Sequence, residues 1–268
     1  MNGRLSVAHS VDLDDAFMFW ALATGRLDPK PHGVSSVEFR AADTETLNRC
    51  AADGKADVVA VSIAAVPELR DYLLLPHGGS VGRGYGPVVV AREPLAARDL
   101  SGRRVGIPGA RTTAARLLAG AAPKAEPVVV PFHGSFDALE AGEVDAALLI
   151  HEGRLVYRKL GYHLVLDLGE WWTNETGLPL PLGGNVIRRA LGAERIATVS
   201  QMLRESIAMA LARRDEAIDE LLATRPSMSR GDASEYLSLY ANQDTLDYGP
   251  EGRRAISRLL GMDVEWAP

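Results

Sequence analysis

Among the residues able to move a proton, His151 has the most informative surroundings. It follows residues 144–150, VDAALLI, a run too apolar for a surface strand. Such a run reads as a strand buried on both faces, the habit of parallel sheets covered by helices. A side chain at the carboxyl end of such a strand sits where neighbouring strand-to-helix loops diverge and leave a crevice for ligands. There a neutral imidazole can accept or give a proton near neutral pH. The competing duty is a hydrogen bond to a backbone carbonyl at the strand end, and position alone leaves both readings open.

A second feature is Pro108-Gly109-Ala110-Arg111-Thr112-Thr113, which leads from a strand at residues 104–107 into a helix reaching about residue 121. A helix start offers unpaired amides and about half a positive charge, so it stabilises a carboxylate or phosphate. The hydroxyls of Thr112 and Thr113, next to Ala114, would add donors, although one of the two also suits an N-cap. A third is the loop at residues 76–87, whose five glycines, Gly84 and Gly86 among them, let backbone approach a ligand closely. It is no dinucleotide fingerprint, because it runs into a strand at residues 88–91 where that motif must open a helix, and a Walker-type lysine is absent.

Other chemistry is excluded or weakly supported. The six histidines, His9, His32, His77, His133, His151 and His163, lack the close spacing of a zinc or iron site. Asp12, Asp14 and Asp15 come from a single strand-to-helix turn and do not make a full oxygen cage, so capping the following helix is their expected duty. The single cysteine, Cys50, rules out an internal disulfide and a thiolate cluster, and no Gly-x-Ser-x-Gly elbow occurs. No metal and no cofactor are therefore expected. A net charge of −6 opposes a nucleic-acid partner, and the pairs Arg188-Arg189 and Arg213-Arg214 read as solvated helix ends. No stretch approaches the ~20 apolar residues of a membrane span, and none resembles an export signal, so a cytoplasmic protein without a membrane partner is expected.

The elements that must hold these groups read as α/β. Strands are expected at residues 5–8, 37–40, 58–63, 88–91, 104–107, 128–130 and 144–150, with helices between most of them. Gly54 and Asp57 before the third strand match Gly142 and Asp145 before the His151 strand, about ninety residues on. Ser62 in the first copy falls where Ile150 and His151 fall in the second. Two similar lobes, each a mixed sheet flanked by helices, facing one another across a ligand cleft, are the simplest account. Residues 1–91 plus 186–268 are expected to form the first lobe and residues 92–185 the second, with crossings at residues 92–101 and near Trp171-Trp172 and the Pro/Gly-rich strip after them. The tryptophans suit either an aromatic wall of the cleft or packing between lobes. From Ala193 onward the pattern is helical. Ile196, Val199, Leu203, Ile207, Ala210 and Leu211 share one face, and these helices read as a buttress without catalytic content.

The chain resembles the 1,4-dihydroxy-6-naphthoate synthases of the futalosine route to menaquinone over nearly its whole length. The matching runs are Asp14-Asp15-Ala16-Phe17, Asp43-Thr44-Glu45-Thr46-Leu47-Asn48, Gly82-Arg83-Gly84-Tyr85-Gly86-Pro87, Pro108-Gly109 with Thr112-Thr113-Ala114, Ile150-His151-Glu152, Asp167-Leu168-Gly169 with Trp171-Trp172, and Thr176-Gly177-Leu178-Pro179-Leu180-Pro181-Leu182-Gly183. The resemblance implies a type II periplasmic-binding-protein-like fold and a cofactor-free carbon-carbon lyase acting on cyclic dehypoxanthine futalosine, with His151 as catalytic base. Ser62, Thr112, Thr113, Ala114, Asp14, Gly84 and Gly86 are then expected around a small carboxylate substrate, and a homodimer is compatible with it. Family members often carry Pro-Asn-Asp where this chain has Leu13-Asp14-Asp15, and many have an aromatic residue after the pocket serine where it has Ile63-Ala64-Ala65. The alternatives are a chorismate dehydratase of the same pathway and a solute-binding protein that captures a small organic acid without turning it over.

Overall fold

Two turns of the same chemistry start the strands that carry the site; the computed structural model describes residues 3–226 and 228–268. Gly54 and Gly142 take left-handed backbone, φ 63° and 68°, which glycine adopts without a Cβ clash. Asp57 then accepts from the Ser6 amide and hydroxyl at 2.9 and 2.8 Å, and Asp145 accepts from the Arg104 amide at 2.9 Å. The Asp57 amide returns a bond to the Ser6 carbonyl, and the Asp145 amide one to the Arg104 carbonyl. Each aspartate fastens the start of its strand to the start of a parallel neighbour, setting Val7 opposite Val58 and Val105 opposite Ala146. The duplicated spacing in the sequence is thus a duplicated hydrogen-bond pattern, and it fixes which residue reaches the far edge of each sheet.

The strands are β1 (Arg4–Ser10), β2 (Ser36–Ala42), β3 (Val58–Ser62), β4 (Tyr72–Leu74), β5 (Ser80–Gly82), β6 (Val88–Ala91), β7 (Arg104–Ile107), β8 (Glu126–Val129), β9 (Ala146–Leu149), β10 (His163–Asp167) and β11 (Leu180–Arg188). They form two sheets, one in the order β2-β1-β3-β11-β4 with β5 also on β11, the other in the order β10-β6-β9-β7-β8. In the first sheet β11 runs antiparallel to β3, β4 and β5, while β1 is parallel to β2 and β3. In the second, β7 is parallel to β8 and β9, and β6 is antiparallel to β9 and β10.

This pairing corrects the expected lobe boundaries. β6 lies in the second sheet, with Val88 opposite Leu149, so the chain crosses before residue 88 and not at residues 92–101. All of β11 lies in the first sheet, so the return is complete before residue 180 and not near 186. The reason is a matter of faces: Val88, Val89, Val90 and Ala91 are fully buried, and only an interior position in the second sheet gives an apolar strand two covered faces.

The helices are α1 (Leu13–Ala23), α2 (Thr44–Ala52), α3 (Thr113–Ala121), α4 (Ser135–Glu140), α5 (Gly153–Val156), α6 (Leu168–Thr176), α7 (Ala193–Ala212), α8 (Arg214–Leu222), α9 (Arg230–Tyr240), α10 (Gln243–Leu246) and α11 (Gly249–Leu260). On α7, Ile196, Val199, Leu203 and Ile207 are buried against Leu5, Val7, Met18 and Phe19, covering the first sheet. α8 and α9 close over the opposite side of α1 through Ala217, Ile218, Tyr236 and Leu237, which meet Leu13, Phe17 and Trp20. Asp12 is the N-cap residue of α1, and Asp14 and Asp15 lie in its first turn; the capping expected of Asp14 or Asp15 does not occur. α6 was not expected as a helix: it carries Trp171 and Trp172 and begins where the Asp167 side chain accepts from the amides of Gly169 and Glu170.

Gly169 lies where the two crossings touch. A Cβ there would stand 1.9 Å from the Tyr85 carbonyl carbon and 2.2 Å from the Gly86 nitrogen, and backbone cannot rotate aside. Gly169→Ala is expected to lower unfolding free energy by about 1–3 kcal/mol in chemical denaturation. The control Gly231→Ala, where a Cβ meets nothing nearer than 3.7 Å, is expected to show no loss.

Candidate active site

Between the lobes lies a cleft of about 780 Å³, counting its open mouth. The first lobe lines it with Ser10, Asp14, Asp15, Thr44 and Ser62, and the second with Thr112, Thr113, Ala114, Ile150, His151 and Arg154. Gly86 and Leu182 to Gly184 come from the crossings, and Tyr236 and Tyr240 from α9. The structure therefore brings together His151, Ser62, Thr112, Thr113, Ala114, Asp14 and Gly86. Gly84 is not at the cleft; it supplies a left-handed turn, φ 79°, outside the wall. Trp172 is not an aromatic wall either: it is buried, and its indole donates to the Pro179 carbonyl at 3.0 Å, while Trp171 packs beside Gly120 of α3.

His151 follows β9 after one intervening residue, with φ 51°, the one left-handed non-glycine among the described residues. Such a conformation costs on the order of 1–3 kcal/mol and persists only where the surroundings impose it. It carries the ring across the gap between lobes, where Nε2 lies 3.1 Å from Asp12 Oδ2 and 3.2 Å from Thr44 Oγ1. Asp12 follows the end of β1 and Thr44 opens α2, both first-lobe elements. These contacts place the imidazole at the seam between the lobes, beside a carboxylate and a hydroxyl of the first lobe.

Carboxyl groups crowd the first-lobe side. Burial raises Asp12 to about 7, the Asp14 carboxylate adding to it. Asp15 is raised to about 7 by the same two causes and accepts from the Ser10 amide at 2.6 Å. Asp14 accepts from the Ser80 hydroxyl at 2.6 Å and the Tyr236 hydroxyl at 3.1 Å. Burial also raises Glu152, next to the histidine, with Asp12 contributing. Near neutral pH this wall therefore carries fewer negative charges than its composition suggests. Donor atoms of Asp12, Asp14 and His151 lie within 4.8 Å of one another. Two of the three already touch each other, Asp12 Oδ2 lying 3.1 Å from His151 Nε2.

The start of α3 differs from expectation in which atoms it offers. Thr112 Oγ1 donates to the Gly109 carbonyl at 2.8 Å and caps Ala115, and Thr113 Oγ1 donates to the Leu182 carbonyl at 2.6 Å while accepting from the Ala64 amide. Both hydroxyl protons are spent on protein. The first-turn amides of Thr113 and Ala114 carry the positive end of the helix to the cleft instead. Ser62 accepts from Asn48 Nδ2 at 3.3 Å and its amide donates to Asn48 Oδ1 at 2.9 Å, so the serine hydroxyl is oriented from behind with its own proton toward no protein acceptor among the described residues.

Several lining residues were not foreseen. Tyr236 and Tyr240 belong to helices taken for a plain buttress; two tyrosines four residues apart lie on one helix face, which was the available signal. Arg154 donates to the Gly86 carbonyl and to Asp167 Oδ2, both at 2.7 Å, tying the His151 segment to the crossings.

The sign of one pH effect follows from these acids. Burial raises Asp15 from 3.8 to about 7, so folding takes up a proton between those values, and the wild type loses stability as pH rises through that window. Asp15→Asn does not titrate. The melting temperature of Asp15→Asn minus that of the wild type is therefore expected to grow, by at least ~2 °C, between pH 4.5 and 7.5, as read by thermal denaturation.

A family model described as menaquinone biosynthesis matches residues 5–265. A 1,4-dihydroxy-6-naphthoate synthase of Thermus thermophilus is 43% identical over 249 residues, 92% of this chain and 89% of that protein. A second, from Streptomyces coelicolor, is 38% identical over 263 residues, covering 96% and 91%. Among solved structures, a protein from Archaeoglobus fulgidus superposes with TM-score 0.90 at 40% identity, over 97% of this chain and 96% of that one. The alkanesulfonate-binding protein of Xanthomonas axonopodis pv. citri, bound to MOPS, gives 0.69 at 14% identity, covering 89% and 84%. A Candida albicans protein described as having the generic periplasmic-binding-protein fold gives 0.71 at 14%, covering 96% and 90%. The last two likenesses speak for the fold alone, two α/β lobes clamped about a ligand cleft. With a family model matched over almost its full length, the chain belongs to the menaquinone-biosynthesis family.

Proposed function

We propose that the protein is a carbon-carbon lyase that converts cyclic dehypoxanthine futalosine to 1,4-dihydroxy-6-naphthoate in the cytoplasm, with His151 as general base. The relatives' shared activity supports the reaction class. The observation that carries the residue assignment is the histidine held in left-handed backbone at the cleft, 3.1 Å from a buried carboxylate. The reaction needs a base to take the proton whose loss lets the sugar-derived carbons leave and the ring become aromatic, and it needs the substrate held in one pose. The amides of Thr113 and Ala114, with the Ser62 hydroxyl, suit the substrate carboxylate. The cleft walls of Leu47, Leu182 and Tyr240 suit its ring system.

Purified protein is expected to form the naphthoate from this substrate without added metal or nucleotide, followed by chromatography of the product. His151→Ala is expected to lower kcat by roughly 10²–10⁴-fold. Undiminished turnover in His151→Ala would remove the base assignment. Consumption of chorismate, or tight capture of a ligand with no product, would replace the reaction itself.

A further inference from the structure

We propose that Asp12 is the positioning residue for His151, and that the pair is split between the lobes so that the base is complete only when the cleft is shut. The proposal rests on the reading of His151 as the base. Asp12 Oδ2 lies 3.1 Å from His151 Nε2, one group following β1 in the first sheet and the other following β9 in the second. His151 lines the cleft, while Asp12 lies behind it, on a smaller pocket on the other side of the ring. That is where a residue acting through the imidazole belongs, out of reach of substrate.

The Asp12 side chain is also diverted from its ordinary employment. It stands at the N-cap of α1, where an aspartate usually accepts from an amide of the first turn, yet it makes no such bond. Its amide donates to Ser10 Oγ at 3.1 Å, which holds the turn so that the carboxylate faces the second lobe. Thr44 Oγ1, 3.2 Å from the same nitrogen, is a second first-lobe contact that exists only with the lobes together. The left-handed backbone of His151 is what lets the ring reach both.

A carboxylate bonded to one imidazole nitrogen fixes the tautomer and ring orientation, and it stabilises the imidazolium that forms when the ring takes a proton. Placing the two partners on different lobes links that stabilisation to closure, so the base is strongest where water is excluded around bound substrate. The groups facing the pair from the first lobe are Asp14, Asp15 and Arg225, with Asp43 and Glu45 at the start of α2. From the second lobe they are Glu152, His133 and Arg154. Acids predominate, so Asp12→Asn removes one of several negative neighbours and should lower, not abolish, the proton affinity of the ring.

The test pairs steady-state kinetics with nitrogen NMR of histidine-labelled protein, His151→Ala supplying the resonance assignment. In the wild type saturated with the naphthoate product, which holds the lobes together, the neutral His151 ring is expected to carry its proton on Nε2. Asp12→Asn is expected to lose roughly 10²-fold in kcat with KM changed less than ~3-fold, to move the acid limb of the kcat profile to lower pH, and to lower the titration point of His151. A neutral ring with its proton on Nδ1 in that product-bound wild type would overturn the proposal even if the variant did not fold. So would a folded Asp12→Asn with unchanged kcat and unchanged His151 titration. If His151→Ala retains full turnover, the base assignment fails instead; loss in His151→Ala with none in Asp12→Asn sinks only the role of Asp12.

Discussion

The position of the site depends on one close approach of backbone to backbone, where Gly169 meets Tyr85 and Gly86. The chain passes between the sheets twice, and both passes are compressed into this spot because no side chain intervenes. The Leu168 amide donates to the Pro87 carbonyl at 2.9 Å, which pins one crossing to the other. Asp167 caps α6 with one oxygen and accepts from Arg154 with the other, and Arg154 donates to Gly86 as well. Arg154 lies three residues beyond His151, so the histidine segment is tied directly to the axis formed by the two crossings.

Polar contacts join the lobes beyond that axis. Thr113 spans to Ala64 and Leu182, the Arg111 amide donates to Glu45 at 3.1 Å, and His151 meets Asp12 and Thr44. A bound molecule touching both walls would add to these contacts and so favour the arrangement in which the lobes are together. In the proposed reading, a fold shared with binding proteins gains chemistry because its two lobes bring a histidine to a carboxylate.

Much of this arrangement was legible in the chain. The Gly54-Asp57 and Gly142-Asp145 spacings located two strand starts, and counting forward from them placed Ser62 and His151 at the sheet edges, because a strand's rise per residue is nearly constant. The helix start at Thr112 was legible because threonine caps are local. What was not legible depended on contacts distant in sequence. β6 reads the same whether it ends one sheet or begins another; only its pairing with β9 and β10 assigns it. The threonine hydroxyls were expected to serve a ligand, but Leu182 and Gly109 take their protons. Tyr236 reaches the site from the far end of the chain through Asp14, more than two hundred residues away in sequence. Trp171 and Trp172 suit an aromatic wall or packing between lobes on sequence alone, and the structure packs them, Trp172 buried and Trp171 beside Gly120.

The electrostatics of the two cleft walls differ. Asp14 and Asp15 reach the cleft from the first turn of α1, with Asp12 just behind them, whereas Thr113 and Ala114 line it from the second lobe. An anionic group would be repelled by the first and stabilised by the second, so the proposed substrate carboxylate would be oriented by the two walls together. The raised affinity of Asp12 and Asp15 for protons lessens the repulsion without removing the asymmetry. Burying several acids together opposes folding, and the left-handed backbone at His151 adds to that burden. Both penalties fall on the same few residues, while the apolar layers around α7, α8 and α9 are regular and complete. Strain concentrated at a cleft and absent from the core is the distribution expected when the constrained groups serve chemistry and the remainder of the chain serves stability.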